Sequence, residues 1–171
     1  MRFLAALIFA LALSGCGFHL RGAESARLPY KTIFIALPDT AEVNIWLQRY
    51  LQANRSAEIT NDPKLAEAIF QQVADNRQKT ILSVDAQGRV REFRMQMDYT
   101  FRVINGKGQE LVKPNEINLW RDVTFDDSNI LAKNLEEGLL WRDMTNELVS
   151  QILRRLATIK PRNPAEDDEL N

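Results

Sequence analysis

Arg91-Glu92-Phe93-Arg94-Met95-Gln96-Met97-Asp98-Tyr99-Thr100-Phe101-Arg102-Val103 is the stretch that decides the fold. From Phe93 onward every odd position is apolar or aromatic, and every even position from Arg94 to Arg102 is polar or charged. Side chains of a strand point alternately to its two faces, so this pattern builds one buried face and one polar face. A helix would need its apolar residues at i, i+3, i+4 and i+7, and here they would wrap the whole cylinder.

Working outward, Asp85-Ala86-Gln87-Gly88 precedes this strand and Asn105-Gly106-Lys107-Gly108 follows it. Both consist of residues that tolerate the positive φ of hairpin turns, which predicts two consecutive hairpins. After the second turn, Ile117, Leu119, Arg121, Val123 and Phe125 alternate with Asn118, Trp120, Asp122 and Thr124. Before the first, Ala68 to Val84 carries Ile69, Val73, Ile81 and Val84 among polar residues and reads as a long, irregular strand.

The flanks complete the order. Thr32 to Leu37, ended by Pro38, suits a short buried strand. Asp39 stands three residues before Glu42 as an approximate capping box, and Val43, Trp46, Leu47, Tyr50 and Leu51 follow helical spacing. Asn61-Asp62-Pro63 marks a turn. Ser128 is the expected N-cap of a helix to about Ile159, with Leu131, Leu135, Leu139, Trp141, Met144, Leu148, Ile152 and Leu156 on one arc. Gly138 falls within that arc, which predicts close approach of the helix to the sheet. The expectation is an α+β domain over residues 31–160. It has a four-stranded, mostly antiparallel sheet with two helices on one face, in the order β-α-β-β-β-α. Pro161 and Pro164 end the last helix, and Glu166-Asp167-Asp168-Glu169 makes residues 161–171 an acidic tail with the composition of disorder.

The chain starts Met1-Arg2, continues in an apolar run from Phe3 to Leu13, and reaches Leu13-Ser14-Gly15-Cys16. That run is about half of the roughly 20 residues a spanning helix needs, so it reads as the core of a secretory signal, residues 1–15. A small-residue pair directly before a cysteine resembles the lipobox of bacterial lipoproteins. That resemblance makes Cys16 the lipidation site, carrying an S-diacylglyceryl and an N-palmitoyl group. As the only cysteine of the chain, Cys16 has no partner for an internal disulfide. Several acyl chains together give durable anchoring, where one gives only marginal binding. Gly17 stands where an aspartate resembles an inner-membrane retention mark, so the expected address is the outer membrane. Residues 16–30, with Gly22 and Pro29, form the expected tether, partly flexible by composition.

Composition narrows the chemistry. The formal charge of the 171 residues is -1, so no broad basic field invites nucleic acid. His19 is the only histidine and Cys16 the only thiol, which disfavours nucleophilic catalysis and a zinc site. Asp85, Asp98 and Asp122 could still converge for carboxylate chemistry, although their spacing does not require it. The chain is therefore expected not to be an enzyme and to bind neither cofactor nor metal.

Three blocks in order, Cys16-Gly17-Phe18-His19-Leu20-Arg21-Gly22, Arg91-Glu92-Phe93-Arg94-Met95 and Leu131-Ala132-Lys133, resemble the LptE (RlpB) family of lipopolysaccharide-assembly lipoproteins. The resemblance spans essentially the mature chain. It implies a non-enzymatic subunit that sits in the lumen of the outer-membrane β-barrel LptD, assists its assembly and binds lipopolysaccharide. It also implies a basic lipopolysaccharide contact at the start of the last helix, where Lys133 stands. A second family contact lies in the first hairpin turn, where Ala86 aligns and Arg89 and Arg91 are the nearby cations. Phosphates accept charge-assisted hydrogen bonds from both residue types. The alternative reading of the same features is an accessory lipoprotein of a different envelope machine, with these arginines as a solvated turn.

Overall fold

The computed structural model describes residues 27–124 and 130–158, with the backbone alone for 130–134. The elements are β1 (Thr32–Ala36), α1 (Glu42–Asn54), β2 (Glu58–Ile59), β3 (Ala68–Val84), β4 (Val90–Ile104), β5 (Glu110–Thr124) and α2 (Ile130–Thr158). The sheet order is β2-β1-β3-β4-β5. The α+β class and the β3–β4–β5 antiparallel meander match the sequence expectation. The sheet has five strands rather than four, because two residues of β2 join β1 in parallel at Thr32↔Glu58 and Ile33↔Ile59. So short a strand carries no periodicity. β1 also runs parallel to β3, so the sheet is mixed at this edge.

Alternation in β4 is realised as read: Phe93, Met95, Met97, Tyr99, Phe101 and Val103 are all buried. Their ladder partners show which layer covers them. Arg121 lies opposite Met95 and Asn115 opposite Phe101, and both reach side chains of α2, Glu147 and Arg155. On the other side, Arg77 lies opposite Met97 and Lys79 opposite Met95. These two reach Glu42 of α1 at 3.5 Å and Glu137 of α2 at 2.6 Å. Both helices therefore cover the same face. The opposite face, with Arg94, Gln96, Asp98, Thr100, Asn118 and Trp120, has no covering element among the described residues.

The core is densest where α1, α2 and β1 meet the sheet. Met144, Leu148, Val149, Ile152, Leu153 and Leu156 of α2 are buried there with Leu47, Leu51, Ile33 and Phe70. Leu28 and Tyr30, at the end of the expected tether, belong to the same cluster. Toward the first hairpin the apolar layer thins out. Leu135 and Leu139 of the expected arc are 66% and 54% exposed, and Gly138 has nothing within 4 Å of where a Cβ would stand. The close approach expected at Gly138 is thus absent: near Gly138 the Lys79–Glu137 ion pair at 2.6 Å links α2 to β3. Asp75, Arg77 and Lys79 occupy the helix side of β3, which β1 leaves as a free edge beyond Gln71. Inward charges on a free edge oppose pairing with another chain.

The capping box at Asp39 is not formed. Ala41 is the N-cap, without a side-chain bond, and the entrance to α1 is fixed by Asn44, whose buried amide donates to the Leu37 and Pro38 carbonyls at 3.2 and 3.1 Å. The expected cap Ser128 and end residue Ile159 of α2 lie outside the described residues, as do the signal, Cys16 and the acidic tail.

Both hairpins are three-residue loops closed in the same way. Gly88 at φ 77° and Gly108 at φ 82° donate to the carbonyls of Asp85 (2.9 Å) and Asn105 (3.0 Å), a type I turn followed by a left-handed glycine. Asp85 Oδ1 accepts from the backbone N–H groups of Gln87 and Arg89, both at 2.9 Å. Asn105 Oδ1 accepts from Lys107 at 2.9 Å and Gln109 at 3.0 Å. One difference matters, because Asp85 is ionised and Asn105 is not.

The Arg89 N–H bond, with that from Gln87 and the Arg89 guanidinium, holds the Asp85 carboxyl below its ordinary 3.8. A depressed folded-state value means the contribution is present above the unfolded value and is lost as pH falls through the folded one. We expect Asp85→Asn to keep the turn, as Asn105 does, and to remove part of the acid sensitivity below pH ~4. Denaturation midpoints at pH 7 and pH 3 test this, and an unchanged difference between the two pH values would refute it.

Candidate functional site

The end of the molecule around the first hairpin gathers the elements that carry the expected contacts. The 85–89 turn, the start of β4 and the end of β5 meet there, with Glu92 paired to Thr124. Lys79 near that end binds Glu137, within the second turn after Lys133, so α2 begins at the same end. Lys133 lies in the first turn of α2, and its side chain is outside the described residues. Its neighbour in helical spacing, Glu137, gives its carboxylate to Lys79, whose ammonium also sits 4.0 Å from the centre of the Phe93 ring.

Arg89 is tied to its own turn: Nε donates to Asp85 Oδ2 at 2.8 Å, with most of the guanidinium still exposed. Arg91 is exposed and has no hydrogen bond or ion pair among the described residues. Arg91 falls where the β3–β4 register shifts, between the pairs Val84↔Val90 and Ser83↔Glu92, so alternation assigns it no face. Arg94 takes the face opposite Phe93, where Nε and Nη2 bind Asp122 at 2.7 and 2.8 Å. That pairing draws the Asp122 carboxyl below its ordinary range. The end thus offers one uncommitted cation, one partly committed cation and the backbone position of a third, while Arg94 is spoken for on the other side. Around them stand exposed Ile81, Val84 and Leu135.

The three aspartates considered for catalysis do not meet. Asp85 is in the turn, Asp122 pairs with Arg94, and Asp98 accepts from Gln96 at 2.9 Å, four residues further along β4. No group of three or more potential metal ligands occurs among the described residues. No described helix is long and apolar enough to cross a membrane.

The charge pairs between layers escaped the sequence reading. Arg77 bridges Glu42 and Asp75, and its guanidinium lies 5.9 Å from the centre of the Trp141 ring. Only the position of Arg77 and Lys79 inside the otherwise apolar register of the sheet could have signalled them.

Comparison with known proteins bears on the family and the fold. The family model described as "LptE: Lipopolysaccharide-assembly" matches residues 30–156. An LPS-assembly lipoprotein LptE of Pectobacterium atrosepticum is 25% identical over 165 residues, covering 90% of this chain and 84% of its own length. The corresponding protein of Photorhabdus laumondii is 23% identical over 150 residues, covering 87% and 81%. Among solved structures, an uncharacterized lipoprotein B of Nitrosomonas europaea superposes with a TM-score of 0.70 at 36% identity, over 82% of this chain and 90% of that one. The rare lipoprotein B of Shewanella oneidensis shares the fold, with a TM-score of 0.64 at 20% identity over 82% and 99%.

Proposed function

The chain belongs to the LptE lipopolysaccharide-assembly family, and from this we propose that it is the lipid-anchored, lumen-seated partner of an LptD-type β-barrel in the outer membrane. Its role in lipopolysaccharide assembly and its place in the cell envelope follow from the family. The barrel, the outer-membrane address and the ligand contacts are our reading. In it, residues 1–15 are removed and Cys16 carries the lipid. Residues 31–160 form the working domain. Arg89, Arg91 and Lys133 face lipopolysaccharide.

The observation that carries the reading is the uncovered polar face of the β3–β4–β5 meander. β4 has 15 residues, which at about 3.3 Å each span roughly 50 Å, about twice the ~25 Å apolar band of an outer-membrane barrel. A meander of this length reaches through such a barrel, and its polar face suits a polar lumen wall. Chemistry at the hairpin end is binding chemistry: cations beside exposed aliphatic side chains match an amphiphile with phosphates and acyl chains. In this reading the subunit binds and positions.

The deciding experiment is gentle solubilisation of the membranes followed by affinity capture of the tagged chain. Co-recovery of a large β-barrel is expected, and reproducible capture without one overturns the reading. For the ligand, Lys133→Glu in the detergent-solubilised protein is expected to weaken lipopolysaccharide binding about tenfold, as loss and reversal of a charge-assisted contact would. Unchanged binding removes Lys133 from the site, and Arg91→Glu is the parallel variant.

A further inference from the structure

At the end of the domain opposite the first hairpin lies a groove of about 740 Å³. Its walls come from the last turn of α1 (Leu51, Gln52), from Arg55 to Ile59, and from the incoming chain between Arg27 and Lys31. Leu28 N donates to Ser56 O at 3.3 Å, so the chain enters the fold along the rim of this groove. Tyr30, one of the wall residues, is 6% exposed, and its buried hydroxyl has no hydrogen-bond partner among the described residues. A buried hydroxyl without a partner is costly and points to a missing acceptor.

We propose that this groove is the docking site of the chain's own lipid-proximal block, Phe18-His19-Leu20-Arg21. Connectivity selects the occupant. Gly22 to Ala26, five residues spanning at most about 17 Å, separate the block from Arg27 on the groove wall. A segment held so close is present at an effective concentration on the order of millimolar, which no free partner in the envelope readily matches. Gly22 lets the chain reverse direction, since glycine alone adopts positive φ without steric cost.

The chemistry is complementary as well. Phe18 and Leu20 bring apolar surface to a groove whose walls include Leu51, Ala57 and Ile59. A carbonyl of the incoming backbone supplies an acceptor for Tyr30. Arg21 meets a wall that contains Glu58, and Glu24 meets one that contains Arg55 and Lys31. Docking has a mechanical consequence: Cys16 is then two residues from a fixed point on the domain, and the base of the domain is held at the membrane surface rather than swinging on a free tether. This holds whether or not a barrel surrounds the domain.

The test uses the mature lipidated protein in detergent micelles. Trypsin cuts after arginine, so cleavage after Arg21 reports whether the block is seated. Phe18→Ser, outside the folded domain, is expected to speed that cleavage about tenfold with the melting temperature unchanged, because the block opens locally without global unfolding. Ala57→Trp, which fills the groove, is expected to do the same. Hydrogen exchange of the Leu20 and Arg21 amides should be slowed in the parent protein and released in both variants. Equal cleavage rates in parent and Phe18→Ser, or exchange at the unprotected rate in the parent, overturn the proposal. So does an Ala57→Trp chain that loses its membrane partner while cleavage after Arg21 is unchanged, because the groove then belongs to that partner.

Discussion

Replacing Phe101 by alanine is expected to remove about 3–5 kcal/mol of stability, a large part of what a domain of this size possesses. Phe101 has no exposed surface, stacks on Phe70 with ring centroids 5.5 Å apart and planes at 22°, and sits where β3, β4 and β5 run side by side. Its removal deletes transfer free energy and leaves a cavity that three hydrogen-bonded strands cannot collapse to fill. Neighbours in the ladder offer no compensation, since Gln72 and Asn115 stand directly opposite and are polar. Urea unfolding followed by circular dichroism measures the loss, with the slope unchanged if the native state keeps its compactness. The control is Leu139→Ala on α2, which is 54% exposed and is expected to stay within about 0.5 kcal/mol of the parent. A Phe101→Ala loss below about 1 kcal/mol, or a Leu139→Ala loss equal to it, would contradict the assigned core.

The contrast between these two residues shows where sequence is informative about this fold. Alternation in β4 was legible because a strand buried on one face must repeat with period two, and Gly88 and Gly108 were legible because their turns require positive φ. Leu135 and Leu139 were misleading for a physical reason. A helical arc of apolar residues says only that a helix can bury that side, and here the layer beneath their half of α2 is the charged side of β3. Which residues of β3 face the helices depends on three register shifts, between Gln72 and Ala74, Ile81 and Ser83, and Ser83 and Val84, that no local pattern announces. β2 escaped notice because its existence is decided by β1, and Asn44 because its partners, the Leu37 and Pro38 carbonyls, come from the preceding loop.

The candidate site was legible in a different way. Arg89 and Arg91 were marked by their place beside a turn, but only the structure separates a cation committed to Asp85 from one without a partner among the described residues. Lys133 was marked by family resemblance alone. Its link to the others appears only when Lys79 and Glu137 bring the start of α2 to the hairpin end. The same pair sets the two charge reversals apart: Lys79→Glu places two carboxylates together at Glu137, one helical turn from Lys133, whereas Arg91→Glu touches no described ion pair.

The second large effect concerns Cys16. Placed behind an ordinary cleavable signal, a Cys16→Ser chain is expected to lose its own hold on the membrane. The separate signal is necessary: serine blocks lipidation and the cut that depends on it, and the uncut run Phe3 to Leu13 would then keep the chain at the membrane for an unrelated reason. Each buried methylene of an acyl chain contributes about 0.8 kcal/mol, so several chains together make attachment persistent. No described helix offers a substitute. In cells lacking the barrel, the lipidated parent should sediment with membranes and resist urea, while the variant should appear in the soluble periplasmic fraction. In cells that make the barrel, part of the variant should sediment with it and be released by urea, because that hold is a non-covalent interface. A variant that remains in urea-washed membranes without the barrel would show that the anchor lies elsewhere in the chain, and the lipid assignment at Cys16 would fall.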